Sequence, residues 1–198
     1  MISGPTAQVA DGSIGDAYIG SLVEQLDAIL RDARNVTDGL TAAQLNWKPD
    51  ARRWSVGQCL DHLTRTARLY PTEIERMISE ARARGGKDGP FRESWISRWV
   101  LSGMEPPPRM RIRTMRSVEP TTDLDPDRVV REFEGAYVRL RELMIASDGV
   151  ALKHARMRSP FVPVLRFTLG QVLALNLAHA RRHLWQARQV RQCADFPL

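Results

Sequence analysis

Two of the four histidines in this 198-residue chain, His179 and His183, stand four residues apart. On a helix, that spacing puts both rings on one face, a turn apart. Neutral imidazoles so placed can converge on one borderline ion such as zinc, nickel or iron without bending the backbone. His62 is the third candidate. It lies in phase with Cys59, Leu63 and Thr66 on a helix face expected to be buried, where an unsatisfied ring costs about 1–3 kcal/mol. A shared divalent ion would satisfy all three rings. From spacing alone a second reading stays open, in which the pair arises by chance and its rings are solvated or hydrogen-bonded within a core.

The neighbours of these residues narrow the chemistry. His179-Ala180-Arg181-Arg182-His183 lacks the glutamate that serves as general base in a His-Glu-x-x-His protease helix, which argues against that class. Gln186 follows His183 by three residues, in reach to hydrogen-bond a ligating imidazole or a bound water, or else to face solvent. Cys59 could offer a soft thiolate, but a small buried hydrophobe is the better reading of a lone cysteine in a helix's first turns. His154 falls in a connector and is read as a solvated loop residue. Trp47, Trp54, Trp95, Trp99 and Trp185 are weighted towards the core over a pocket lining, and Arg181 and Arg182 towards a solvated helix face.

The elements that must position these residues are helices. Ile19, Leu22, Val23, Leu26, Ile29, Leu30 and Ala33 recur at spacings of three and four and predict an amphipathic helix from Asp16 to about Val36. A short turn of helix over Leu40 to Leu45 follows, before the Pro49-Asp50 break. Ser55 and Gln58 form a capping box at the start of the helix that carries His62, with Trp54 and Cys59 at its staple positions. Pro71 should kink that helix or begin a new segment, and Gly85-Gly86 ends it.

Asp125-Pro126 opens a third long helix, which ends at Gly149. A loop with Pro160 and Pro163 leads to a second capping box, Thr168 with Gln171, and a last helix running to about Gln192, whose first half is apolar nearly all round. Between residues 85 and 125 runs a long Gly- and Pro-rich connection, with a short helix expected at Ser94 to Leu101 and a short extended piece at Arg109 to Arg113. Connections that long act as crossovers or lids.

The hydrophobic fraction of 43% and charged fraction of 26% are those of an ordinary globular protein. One domain is expected over 16–198, after a flexible N-terminus at 1–15. The opening residues do not resemble a signal peptide, and no apolar stretch approaches the roughly 20 residues of a membrane span. With only Cys59 and Cys193, reduced thiols and a cytoplasmic setting are expected. The net charge of +6 comes from arginines spread along the chain, and the densest group, Arg109, Arg111, Arg113 and Arg116, lacks interleaved aromatics. Nucleic-acid binding is therefore not expected.

Leu45-Asn46-Trp47-Lys48-Pro49, Trp54-Ser55-Val56-Gly57-Gln58-Cys59-Leu60-Asp61-His62-Leu63 and His179-Ala180-Arg181-Arg182-His183-Leu184-Trp185-Gln186 together resemble the DinB-like (DinB/YfiT) superfamily of metal-binding four-helix bundles, over about residues 16 to 192. The resemblance implies an all-α, up-down-down-up bundle with a long crossover between helices 2 and 3. It also implies metal ligation by His62, His179 and His183, and frequent homodimers. Two functions follow as expectations. One is a metal-dependent enzyme acting on a small molecule, of hydrolase or thiol-dependent S-transferase type, with zinc or nickel favoured over iron. The other is a non-catalytic metal-binding or dimeric interaction module.

Overall fold

The structure, a computed structural model, describes residues 14–85, 91–92, 95–107, 114–161 and 164–197. Its helices are α1 (Ala17–Thr37), α2 (Ala42–Asn46), α3 (Val56–Ala67), α4 (Pro71–Arg84), α5 (Trp95–Met104), α6 (Pro126–Ala146) and α7 (Leu169–Arg191). The expected extended piece at Arg109 to Arg113 lies outside the described residues, as does most of the N-terminal stretch. The Gly15 and Asp16 amides donate to Asp148 at 2.9 and 2.8 Å, tying the start of α1 to the end of α6.

Four helices form the bundle. α1 and α3 each pack on both α6 and α7 and barely touch each other, so they sit at opposite corners. The apolar stripe of α1 is wholly buried. On α6, Val129, Phe133, Tyr137, Leu140 and Met144 face inward, with the Phe133 and Tyr137 rings stacked at 4.3 Å. Asp16 and Asp125 cap α1 and α6, and capping boxes at Ser55 and Thr168 open α3 and α7. Each cap gives a partner to backbone N–H groups that the first turn leaves orphaned. At Pro71 the helix restarts: α3 ends at Ala67 and α4 begins with the proline at its first position, where no N–H is needed.

Two sequence expectations need correction. The fold is not purely helical. A two-stranded antiparallel hairpin, β1 (Arg156–Arg158) with β2 (Arg166–Thr168), occupies the expected loop and points Met157 into the core. Three-residue strands are too short to show a period. The tryptophans of α5 are not core either, Trp95 and Trp99 being 73% and 67% exposed.

What covers the outer side of α7 is the crossover. α5 lies along α7, Phe91 sits over Gly170 and against Tyr18, and Glu105 grips Arg181. That extra neighbour is why the first half of α7 is apolar on most sides. A Cβ at Gly170 would fall 2.6 to 2.8 Å from the Phe91 ring, so only glycine lets the ring lie this close.

The return limb of the crossover is stitched to α2 and α3. Asn46 exchanges two hydrogen bonds with Leu124, at 2.8 and 2.9 Å. The Asp61 carboxylate accepts from the Thr121 amide at 2.8 Å and its hydroxyl at 3.1 Å, and Gln58 donates to the Thr121 carbonyl at 3.3 Å. Enclosed by α6, α7 and this limb, α3 buries every residue except Arg65.

Two substitutions should move stability in opposite directions under urea denaturation. Ser55→Ala removes a buried N-cap and is expected to cost about 1 kcal/mol. Gly135→Ala, at an exposed position in the middle of α6 with nothing within 4 Å of the new Cβ, is expected to stabilise by about 0.5–1 kcal/mol.

Candidate metal centre

The register of two helices brings three imidazoles together. His62 faces outward from α3 towards α7, and His179 and His183 face it one turn apart. One ring nitrogen from each lies within 4.8 Å of the other two. The Nε2 atoms of His62 and His179 are 3.2 Å apart. Two nitrogens bound at about 2.0–2.1 Å to a tetrahedral ion stand about 3.3 Å apart, so the spacing suits a shared ion.

The outer nitrogens of two rings are fixed. His62 Nδ1 donates to the Val118 carbonyl at 2.8 Å, and His183 Nδ1 to Gln186 Oε1 at 3.0 Å. Each bond places the proton on Nδ1 and leaves Nε2 with the lone pair that a metal-binding imidazole offers. Without an ion, the close His62–His179 approach requires His179 Nε2 to carry the proton between them. Trp54 completes the wall. Its ring stacks on His183 at 5.4 Å and tilts against His62 at 4.8 Å.

Electrostatics keep the rings neutral. Burial pushes the His179 pKa down from 6.5 to about 3, with the charges of His62 and Arg182 adding to the effect. His183 is held well below 6.5, first by burial and then by His179 and His62, against the opposing pull of its Gln186 bond. His62 is lowered by burial, although the Val118 hydrogen bond and the Asp61 charge oppose it. Only neutral imidazole ligates a metal, so the site is set for an ion at neutral pH. His62 and His183 are buried, and His179 is half-buried.

The other sequence candidates fall elsewhere. Cys59 is fully buried in the core, and burial raises its thiol pKa, which disfavours the thiolate a metal needs. His154 is exposed in a turn. Arg181 and Arg182 are not a solvated face. Both are half-buried, and Arg181, on the side of α7 that the crossover covers, bonds both Glu105 oxygens and Gln25. Sequence reasoning missed the Val118 carbonyl and the Asp61–Thr121 stitch that aims it. A backbone oxygen leaves no signature in residue types.

Two outcomes follow. Because the folded histidines have lowered pKa values, the unfolded chain takes up protons first, so the metal-free protein loses stability as pH falls from 6.5 towards 5, before most carboxylates titrate. Urea midpoints should show that loss and show less of it in His179→Gln; a flat profile in the parent would contradict the buried-neutral assignment. Asp61→Asn should keep the fold while lowering zinc affinity about tenfold in chelator competition, through a loosened Val118–His62 bond.

The arrangement can be set beside known proteins. A family model for the DinB superfamily matches residues 25–187. Among solved structures, YfiT from Bacillus subtilis, described as a probable metal-dependent hydrolase with an unusual four-helix bundle topology, is similar with a TM-score of 0.57 and 13% sequence identity. The match covers 96% of this chain and 92% of that one. At that identity the likeness carries the fold alone. No curated protein matches the chain in sequence. The family match spans most of the chain and takes in all three clustered histidines, and the chain therefore belongs to the DinB superfamily.

Proposed function

We propose that the protein is a metal-dependent enzyme acting on a small molecule, with His62, His179 and His183 as ligands of one divalent ion. The observation that carries this reading is the convergence of three neutral imidazoles, two of them with their outer nitrogens already bonded. Imidazole ligands favour zinc or nickel over iron. YfiT's description as a probable metal-dependent hydrolase makes hydrolysis the first reaction to test, and transfer of a thiol the second. An up-down-down-up order of the helices, a homodimer and a cytoplasmic setting belong to the same reading.

When bound, the ion supplies a Lewis acid that brings a coordinated water or thiol towards deprotonation near neutral pH. The chain's own residues do the rest. Val118 and Gln186 hold two rings in the ligating tautomer, and Trp54 shields one side of the cluster from water. Among the described residues the cluster contains histidines alone, so three protein ligands leave positions open to substrate.

A second reading, a non-catalytic module in which the ion ties helices together, is favoured by one feature: the cluster joins α3 to α7. Loss of activity in a folded His183→Ala variant supports the enzyme, whereas unfolding on chelation supports the tie.

Elemental analysis of untagged protein tests both. About one equivalent of zinc or nickel is expected in the parent and none in a His179→Ala, His183→Ala double variant. A parent that is empty and refuses added metal would remove the reading.

A further inference from the structure

The hairpin ahead of α7 gathers positive charge that the fold itself does not use. Strand alternation turns Met157 and Phe167 towards the core, and so puts Arg156, Arg158 and Arg166 together on the outer face, all three exposed. The register seats Arg158 directly opposite Arg166. Side chains paired in this way have Cβ atoms about 5 Å apart, and like charges there work against the pairing.

Elsewhere arginines reach carboxylates across helices, as Arg34, Arg141 and Arg188 do. Among the described residues none of the three hairpin guanidiniums has an acid partner. On α4, which packs on β1, Glu73 and Glu80 are taken up by Arg76, whose Nη2 also donates to the Arg156 carbonyl at 3.0 Å. Lys153 adds another exposed cation just ahead of β1.

Two aliphatic side chains project beside this face. Val164 is 86% and Leu165 45% exposed, and the Leu165 carbonyl accepts from the Ser159 amide at 2.9 Å, which fixes the approach to β2. The patch is separate from the metal centre, since His179 lies about 15 Å along α7 from its first residue. A stacking platform for nucleic acid needs aromatic rings, and the described residues of this outer face include none. Guanidiniums beside exposed aliphatics suit a surface that is anionic at its headgroups and apolar beneath.

We propose that the outer face of the hairpin, Arg156, Arg158 and Arg166 with Val164 and Leu165 at its edge, docks the protein on an anionic lipid bilayer. The guanidiniums bind headgroup oxyanions through paired N–H donors, which offsets the repulsion between Arg158 and Arg166, while the two aliphatics enter the boundary between headgroups and acyl chains. The association is peripheral: among the described residues no helix is long and apolar enough to cross a membrane.

Co-sedimentation of the full chain with phosphatidylcholine vesicles, with and without phosphatidylserine, tests this. The parent should bind only the vesicles that contain phosphatidylserine, and less as salt rises. An Arg158→Ser, Arg166→Ser double variant should bind about tenfold more weakly or worse, at about fivefold per arginine. It removes a repelling pair, so it should fold and melt no lower than the parent. An Arg52→Ser, Arg131→Ser double variant loses the same charge from exposed positions outside the hairpin and should bind like the parent. Val164→Ser keeps the hairpin's charge and should weaken binding about fivefold.

A parent that ignores phosphatidylserine would overturn the proposal. So would equal losses in the two double variants, which would mark attraction by the net charge of +6 alone, or undiminished binding by Val164→Ser. Binding of a DNA duplex that depends on Arg158 and Arg166, without binding to vesicles, would overturn it in favour of nucleic acid.

Discussion

The structure depends on keeping three imidazoles neutral and close together inside a protein. Nitrogen lone pairs facing each other across about 3 to 5 Å repel unless a proton or a cation lies between them, and burial discourages extra protons. An ion is the arrangement that satisfies every ring at once. The rest of the fold can be understood as what it takes to bring those lone pairs together and hold them there.

α3 and α7 supply the rings, but two packed helices do not by themselves fix ring orientation. For His183 that control comes from Gln186 on α7 itself, and for His62 it comes from outside the bundle. The return limb of the crossover lays the Val118 carbonyl against His62, and the limb is held by Asp61, Gln58 and Asn46. The outbound limb lies over the other side of α7 through Phe91, α5 and Glu105. A connection of this length thus adds cover where a four-cornered bundle would leave α7 open to water, and it makes the surroundings of the centre depend on residues far away in sequence. The surface ion pairs linking α1 to α6 and α7, such as Arg141–Asp27 and Arg188–Asp32, contribute little by comparison, since exposed pairs are worth about 0–1 kcal/mol each.

Much of this was legible in the sequence because it is local. Ser55 with Gln58 and Thr168 with Gln171 announce helix starts through short-range hydrogen bonds, and the three- and four-residue apolar spacing of α1 and α6 reports their buried faces. The pairing of His179 with His183 is equally local, and the phase of His62 with Leu63 and Thr66 placed it on a packed helix. Long-range features were not legible. Trp95 and Trp99 carry the mark of core residues yet face solvent. Arg181 and Arg182 carry the mark of a surface yet are half-buried, Arg181 beneath the crossover. Their fate is decided by where residues 85 to 125 run, and a glycine- and proline-rich stretch has no periodicity from which to read its path. The hairpin at Arg156–Arg158 and Arg166–Thr168 escaped for the related reason that its pairing, not its composition, defines it.

X-ray absorption spectroscopy of the zinc-loaded protein tests the central claim most directly, because it counts ligands by element and distance. Three imidazole nitrogens at about 2.0–2.1 Å, with the remaining coordination from oxygen, are expected. A shell containing sulfur at about 2.3 Å, or only one imidazole, would contradict a centre built from His62, His179 and His183.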